Sequence, residues 1–192
     1  MSDSPARRRY PGQSMLSKEN HEAIGPESSA PHKETNGSKK LLEYNDVPSW
    51  HQDNKYILSG YRPETNSTKK CFASWFYIHN ETANIYTHLV PAIAAIIAET
   101  MLFRFFQVRY PASTMADRAV FAIFLLAAAV CLGMSSSYHT LMNHSASTSN
   151  LWLRLDYVGI VILIIGNFIP GTYMVFYCEP TLQKVYWSMV SI

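Results

Sequence analysis

From residue 86 onward, apolar residues come in blocks long enough to cross a lipid bilayer. Residues 86–106, 119–140 and 157–177 each approach the roughly 20 apolar residues that a spanning helix needs. A fourth block opens near Thr181 and runs to Ile192 without a closing charge. In hydrocarbon every backbone N–H and C=O has to be bonded internally, so blocks of this kind become helices. The expected fold is therefore all-α, a multi-pass transmembrane helix bundle. Stopping inside an apolar helix would leave its last carbonyls unsatisfied in lipid. The expectation is that these are the first three to four helices of a larger bundle.

Whole-chain composition hides this. A hydrophobic content of 48% and a mean hydropathy of −0.05 average two unlike halves. Residues 1–45 are rich in Ser, Asn, Pro, Gly, Lys and Glu, with almost no aromatics, and read as a disordered arm. Arg7, Arg8 and Arg9 are a solvated tail charge within it, and no apolar stretch marks a signal peptide. Residues 46–70 carry aromatics and turn residues and read as an ordered lead-in. Over residues 71–85, Phe72, Trp75, Phe76, Tyr77 and Ile78 then suit an amphipathic helix lying in the membrane interface. A net charge of +2 is too small to argue for nucleic acid. The three cysteines form no disulfide framework or zinc ribbon. Cys131 reads as a small buried hydrophobe, and Cys71 as a palmitoylation candidate beside the membrane.

Basic residues set orientation. Lys39, Lys40, Lys55, Arg62, Lys69 and Lys70 precede the first span and outweigh Arg104, Arg109 and Arg118 around the next loop. The expectation is a cytosolic N-terminus and a cytosolic loop over 140–155. The sequons at Asn36, Asn66, Asn80 and Asn143 would then be unused, and glycan on any of them would overturn this topology.

Ionisable groups near span ends are read as functional by default. His139 closes the second span and Asp156 opens the third. Ser135 lies four residues before His139, on the same helix face. An imidazole is a zinc ligand, and a carboxylate orients or deprotonates a metal-activated water. A serine hydroxyl can bond that water or a substrate oxygen. Plainer readings stand beside these: His139 as an interfacial histidine, and Asp156 as the N-cap of the third helix. His144 is five residues beyond His139 and turned off its face. His79 and His88 lie on opposite faces. Glu81, Asn84 and His88 share one side, read either as a polar cluster bonding to a neighbouring helix or as an ordinary polar face. Glu99 falls inside the first block and is read as facing the bundle interior. Pro91 is expected in the early turns of its helix and Pro170 as a kink.

Four stretches, in order, resemble the progestin and adipoQ receptor family, which includes adiponectin receptors and haemolysin-III-like proteins: residues 50–63 (WHQDNKYILSGYRP), 79–88 (HNETANIYTH), 135–140 (SSSYHT) and 155–159 (LDYVG). The resemblance covers roughly residues 46–192. It implies a seven-helix bundle with a cytosolic N-terminus. It also implies one zinc held near the cytosolic side by a histidine of the second helix and two of the last. The first of these corresponds to His139, the carboxylate holding the zinc-bound water to Asp156, and the serine to Ser135. The HxxxH pair of the last helix is not present in residues 1–192. Family members are regarded as receptors, and some as zinc-dependent lipid amidases of the ceramidase type. The implied partners are membrane lipids and a lipid or protein ligand. The expectation is a zinc-dependent receptor or lipid amide hydrolase in the intact protein, with this chain inactive by itself; the alternative is a non-enzymatic membrane receptor or a regulator of lipid or zinc homeostasis with a structural zinc.

Overall fold

The computed structural model describes residues 41–190. The arm over 1–40, with Asn36 and the arginine run, lies outside the described residues. Ordered structure begins earlier than composition suggests. Strand β1 (Leu42–Glu43) pairs antiparallel with β2 (Ser59–Tyr61), Leu42 opposite Tyr61 and Glu43 opposite Ser59, with an irregularity between them. Gly60 adopts φ +91°, a conformation that costs a residue with a Cβ. Its carbonyl accepts the amide of Asn80 at 2.9 Å.

Five helices follow: α1 (Thr68–Ala73), α2 (Thr82–Arg109), α3 (Met115–Leu141), α4 (Ala146–Val175) and α5 (Pro180–Val190). The amphipathic helix expected over 71–85 is only the six residues of α1 and a 3-10 turn at Ser74–Phe76, after which Tyr77 is extended. Phe76 and Ile78 are nonetheless exposed, as side chains facing lipid would be.

Helices α2, α3 and α4 are each long and apolar enough to span. At 1.5 Å per residue, 27–30 residues reach about 40–45 Å, beyond a hydrocarbon core of about 30 Å. Their apolar residues run all round: Ile93, Ile96, Ile97, Ile160, Val161 and Ile164 are exposed. Such faces are stable against lipid or further helices, not water. The spans also begin earlier than the apolar blocks do. Helix α2 starts four residues before Tyr86, so Pro91 lies in its interior rather than its first turns. The largest difference is at α4. It starts at Ala146, capped by Ser145, whose hydroxyl accepts the amide of Thr148 at 3.4 Å. The connection from α3 is therefore residues 142–145 and not a loop over 140–155. Asp156 is not an N-cap; it lies inside α4, ten residues beyond Ala146. The polar stretch 146–155 continues the helix because Ser145 caps it and residues such as Leu151, Leu153 and Leu155 are good helix formers.

Helix α3 packs against both α2 and α4. Small residues set the α3–α4 spacing. A Cβ on Gly166 would overlap that of Ala127, and one on Gly159 would lie 3.0 Å from Cα of Cys131. At its start α3 carries a capping box. Thr114 Oγ1 accepts the Asp117 amide at 3.2 Å, and Asp117 Oδ2 accepts the Thr114 amide at 2.7 Å. The hydroxyl of Tyr173 in α4 donates to Asp117 Oδ1 at 2.7 Å and pins the same end. Glu99 points one carboxylate oxygen, buried and without a partner among the described residues, toward α3, where it lines a cavity of about 180 Å³ with Arg118.

Candidate functional site

The site lies where the start of α2 meets the end of α3. Glu81, immediately before α2, is almost fully buried. His139 Nδ1 donates to Glu81 Oε2 at 2.8 Å. The carboxylate also accepts Asn84 Nδ2 on Oε2 at 2.9 Å and Asn80 Nδ2 on Oε1 at 2.7 Å. Burial alone would push the Glu81 carboxyl up, but the bonds from His139 and Asn84 and the nearby Arg62 charge outweigh it and hold the group below its ordinary value. One turn deeper, His88 Nδ1 and Ser135 Oγ are bonded at 2.7 Å. The His88 and His139 rings sit 5.9 Å apart, edge to face. The stripe Glu81, Asn84 and His88 thus bonds to a neighbouring helix, one of the two roles its spacing allowed. The sequence alone did not show that its partners are His139 and Ser135.

Arg62 braces the other side. It is fully buried. Nη2 donates to the carbonyl of His139 at 2.6 Å, and Nη1 to the carbonyl of Thr140 at 3.0 Å and to Ser74 Oγ at 2.8 Å. The last carbonyls of a helix lack intrahelical donors, and the guanidinium fork satisfies two of them at once. The following residues dock alongside. Asn143 Nδ2 donates to the Pro63 carbonyl at 3.1 Å, and the amides of Thr65 and Asn66 donate to the carbonyls of Asn143 and His144 at 3.1 and 2.9 Å. Trp75 Nε1 adds a bond to Thr140 Oγ1 at 3.0 Å. His139 is therefore fixed through both ring and backbone.

Two more buried histidines lie close by. His79 accepts the Glu81 amide on Nδ1 at 3.1 Å, and its buried Nε2 has no partner among the described residues. Burial, helped by the Arg62 charge, lowers its pKa to about 4. His51 sits edge-on to Tyr61, ring centroids 5.8 Å apart, with both nitrogens unpartnered among the described residues, and burial lowers its pKa as well. His144 is occupied at the α4 cap by Ser145 and Thr148.

Asp156 is half-buried and makes no hydrogen bond or ion pair among the described residues. Its height follows from the antiparallel α3–α4 contact: Gly159 meets Cys131, and three residues earlier on α4 is level with about Met134. Asp156 is therefore about one turn deeper than His139, rather than beside it at the membrane edge. Ser135 is buried and shares the α3 face of His139.

The donors fit zinc in part. With Nδ1–H given to a carboxylate, a neutral His139 presents a lone pair on Nε2, the arrangement by which metal-bound histidines are held. Nε2 has no hydrogen-bond partner among the described residues. Among those residues no group of three or more His, Cys, Asp or Glu is gathered to hold a metal. A catalytic zinc usually takes three protein ligands, so His139 would be one oriented ligand and the others would lie outside the described residues.

Residues 76–192 match the family model described as haemolysin-III related. The chain belongs to this family. It is 41% identical over 155 residues to the adiponectin receptor protein of Drosophila melanogaster, covering 81% of this chain and 34% of that protein. It is 39% identical to progestin and adipoQ receptor-like protein 1 of Caenorhabditis elegans, covering 80% and 35%. Against progestin and adipoQ receptor family member 3 of Homo sapiens it is 34% identical, covering 77% and 47%. The chain spans about a third to a half of the length of these curated relatives. With three membrane-length helices, it is an integral membrane protein of the haemolysin-III-related family.

Proposed function

We propose that the intact protein is a zinc-dependent hydrolase of lipid amides, with His139 as one zinc ligand and Asp156 and Ser135 as catalytic residues. The observation that supports this reading is the bond from His139 Nδ1 to Glu81, which leaves Nε2 without a hydrogen-bond partner among the described residues. When bound, zinc supplies Lewis acidity that polarises a carbonyl and acidifies water. Asp156, without a competing hydrogen-bond partner among the described residues, would take the proton of the attacking water and return it to the leaving amine. Ser135, held by His88, donates its hydroxyl to the oxygen on which charge develops. The substrate is a lipid entering laterally from the bilayer, and the N-terminus faces the cytosol.

The test uses the full-length protein and measures fatty acid release from ceramide. Asp156→Asn is expected to lose about 100-fold or more in rate while retaining zinc, and His139→Ala to lose both. Activity unchanged in His139→Ala sinks the proposal. The relatives named as receptors favour a second reading, in which zinc staples helices for signalling without hydrolysis. That reading expects Asp156→Ala to signal normally and His139→Ala to unfold at lower temperature.

A further inference from the structure

We propose that Glu81 is a positioning residue for His139, fixing which ring nitrogen faces the metal; this rests on the zinc reading above. Glu81 is 1% exposed, and three side chains converge on its two oxygens: His139 at 2.8 Å, Asn84 at 2.9 Å and Asn80 at 2.7 Å. A carboxylate already held by two amides cannot swing away, so the histidine takes its orientation from the carboxylate. The backbone of His139 is held independently by Arg62. That leaves the side-chain torsions of the ring and the choice of tautomer, and the bond to Glu81 sets both, placing the ring proton on Nδ1 and the lone pair on Nε2. The negative charge also raises the basicity of the imidazole toward a cation. The start of α2 thus belongs to the site, although it supplies no ligand. Asn80 and Asn84 hold the holder, and among the described residues His139 is the one ring the carboxylate binds.

Two variants of the full-length protein test this, with zinc affinity measured by chelator competition well below the unfolding temperature of each, where unfolding contributes nothing to the apparent affinity. Glu81→Gln keeps an acceptor but loses the charge and is expected to bind zinc about 10-fold more weakly. Glu81→Ala loses both, with about 100-fold expected. If Glu81→Ala does not fold, Glu81→Gln carries the test. Affinities of the folded variants within twofold of the unsubstituted protein would overturn the proposal. A second readout does not need metal. Nitrogen-15 spectra of the histidine ring in the zinc-free protein should show the proton of His139 on Nδ1, and mixed tautomers after Glu81→Ala or Glu81→Gln. A proton found on Nε2 in the unsubstituted protein would overturn the role of Glu81. If that protein carries Nδ1–H but binds no zinc, the zinc reading fails and the ring-orienting role of Glu81 stands.

Discussion

Replacing Arg62 with methionine should destabilise the protein by several kilocalories per mole. The guanidinium makes three bonds, to Ser74 Oγ and to the carbonyls of Thr140 and His139. A hydrogen bond to a charged group is worth about 1.5–3 kcal/mol net, so the gross loss is roughly 4.5–9 kcal/mol. Against this, methionine removes a buried charge whose desolvation costs several kcal/mol. That burial already lowers the Arg62 pKa, and Nε has no partner among the described residues. The carboxylate of Glu81, ahead of Cys71 and Tyr77, offsets it in part at a distance. The net expectation is about 2–4 kcal/mol, or roughly 5–15 °C in Tm for a protein of this size. Arg62→Lys should recover less than half of this, because one ammonium cannot span two carbonyls and a hydroxyl in the plane that a guanidinium fork provides. Thermal unfolding of the full-length protein in detergent, followed by tryptophan fluorescence, reads both; Trp75, bonded to Thr140, is a local reporter. A methionine variant that melts within about 2 °C of the parent would refute the assignment of Arg62 as the clamp on α3.

Two further outcomes follow from the same geometry. His79 accepts a bond on Nδ1 and has a pKa near 4 when folded, against 6.5 as its ordinary value. Because the unfolded chain binds the extra proton first, stability is complete above about pH 6.5 and falls as pH drops toward 4; Tm at pH 5 should lie below that at pH 7.5, and His79→Asn, which keeps the acceptor, should flatten the difference. Gly166→Ala drives a methyl into Ala127 and is expected to cost about 1–3 kcal/mol, measured as a loss of thermal stability; an unchanged Tm would mean that α3 and α4 can separate freely.

The bundle was legible because lipid leaves so few choices: three apolar blocks become three spans with little regard to detail. Boundaries were harder. Hydropathy ends where polar residues begin, but Ser145 caps α4 and lets polar residues 146–155 remain helical, which moved Asp156 from a helix end to an interior turn. Periodicity placed Ser135 and His139 on one face and Glu81, Asn84 and His88 on another. It could not pair the two faces, because inter-helix register depends on Gly159 and Gly166 meeting Cys131 and Ala127. Arg62 gave no periodic signal at all. Its partners are mostly backbone carbonyls, which any sequence supplies, so only the coordinates reveal that a guanidinium in the lead-in ends α3.

That clamp has a consequence for how the protein is made. Arg62 finds its acceptor on Thr140 78 residues later in the chain. At a translation speed of about 5–20 residues per second, the nascent arginine waits on the order of 4–16 s before its acceptors on α3 have been synthesised. Through that interval Trp75 also lacks the partner it finds on Thr140. The lead-in around Arg62, although made before α3, thus reaches its finished conformation only once α3 is complete, and a ribosome stalled before residue 140 would display it incomplete at the membrane surface.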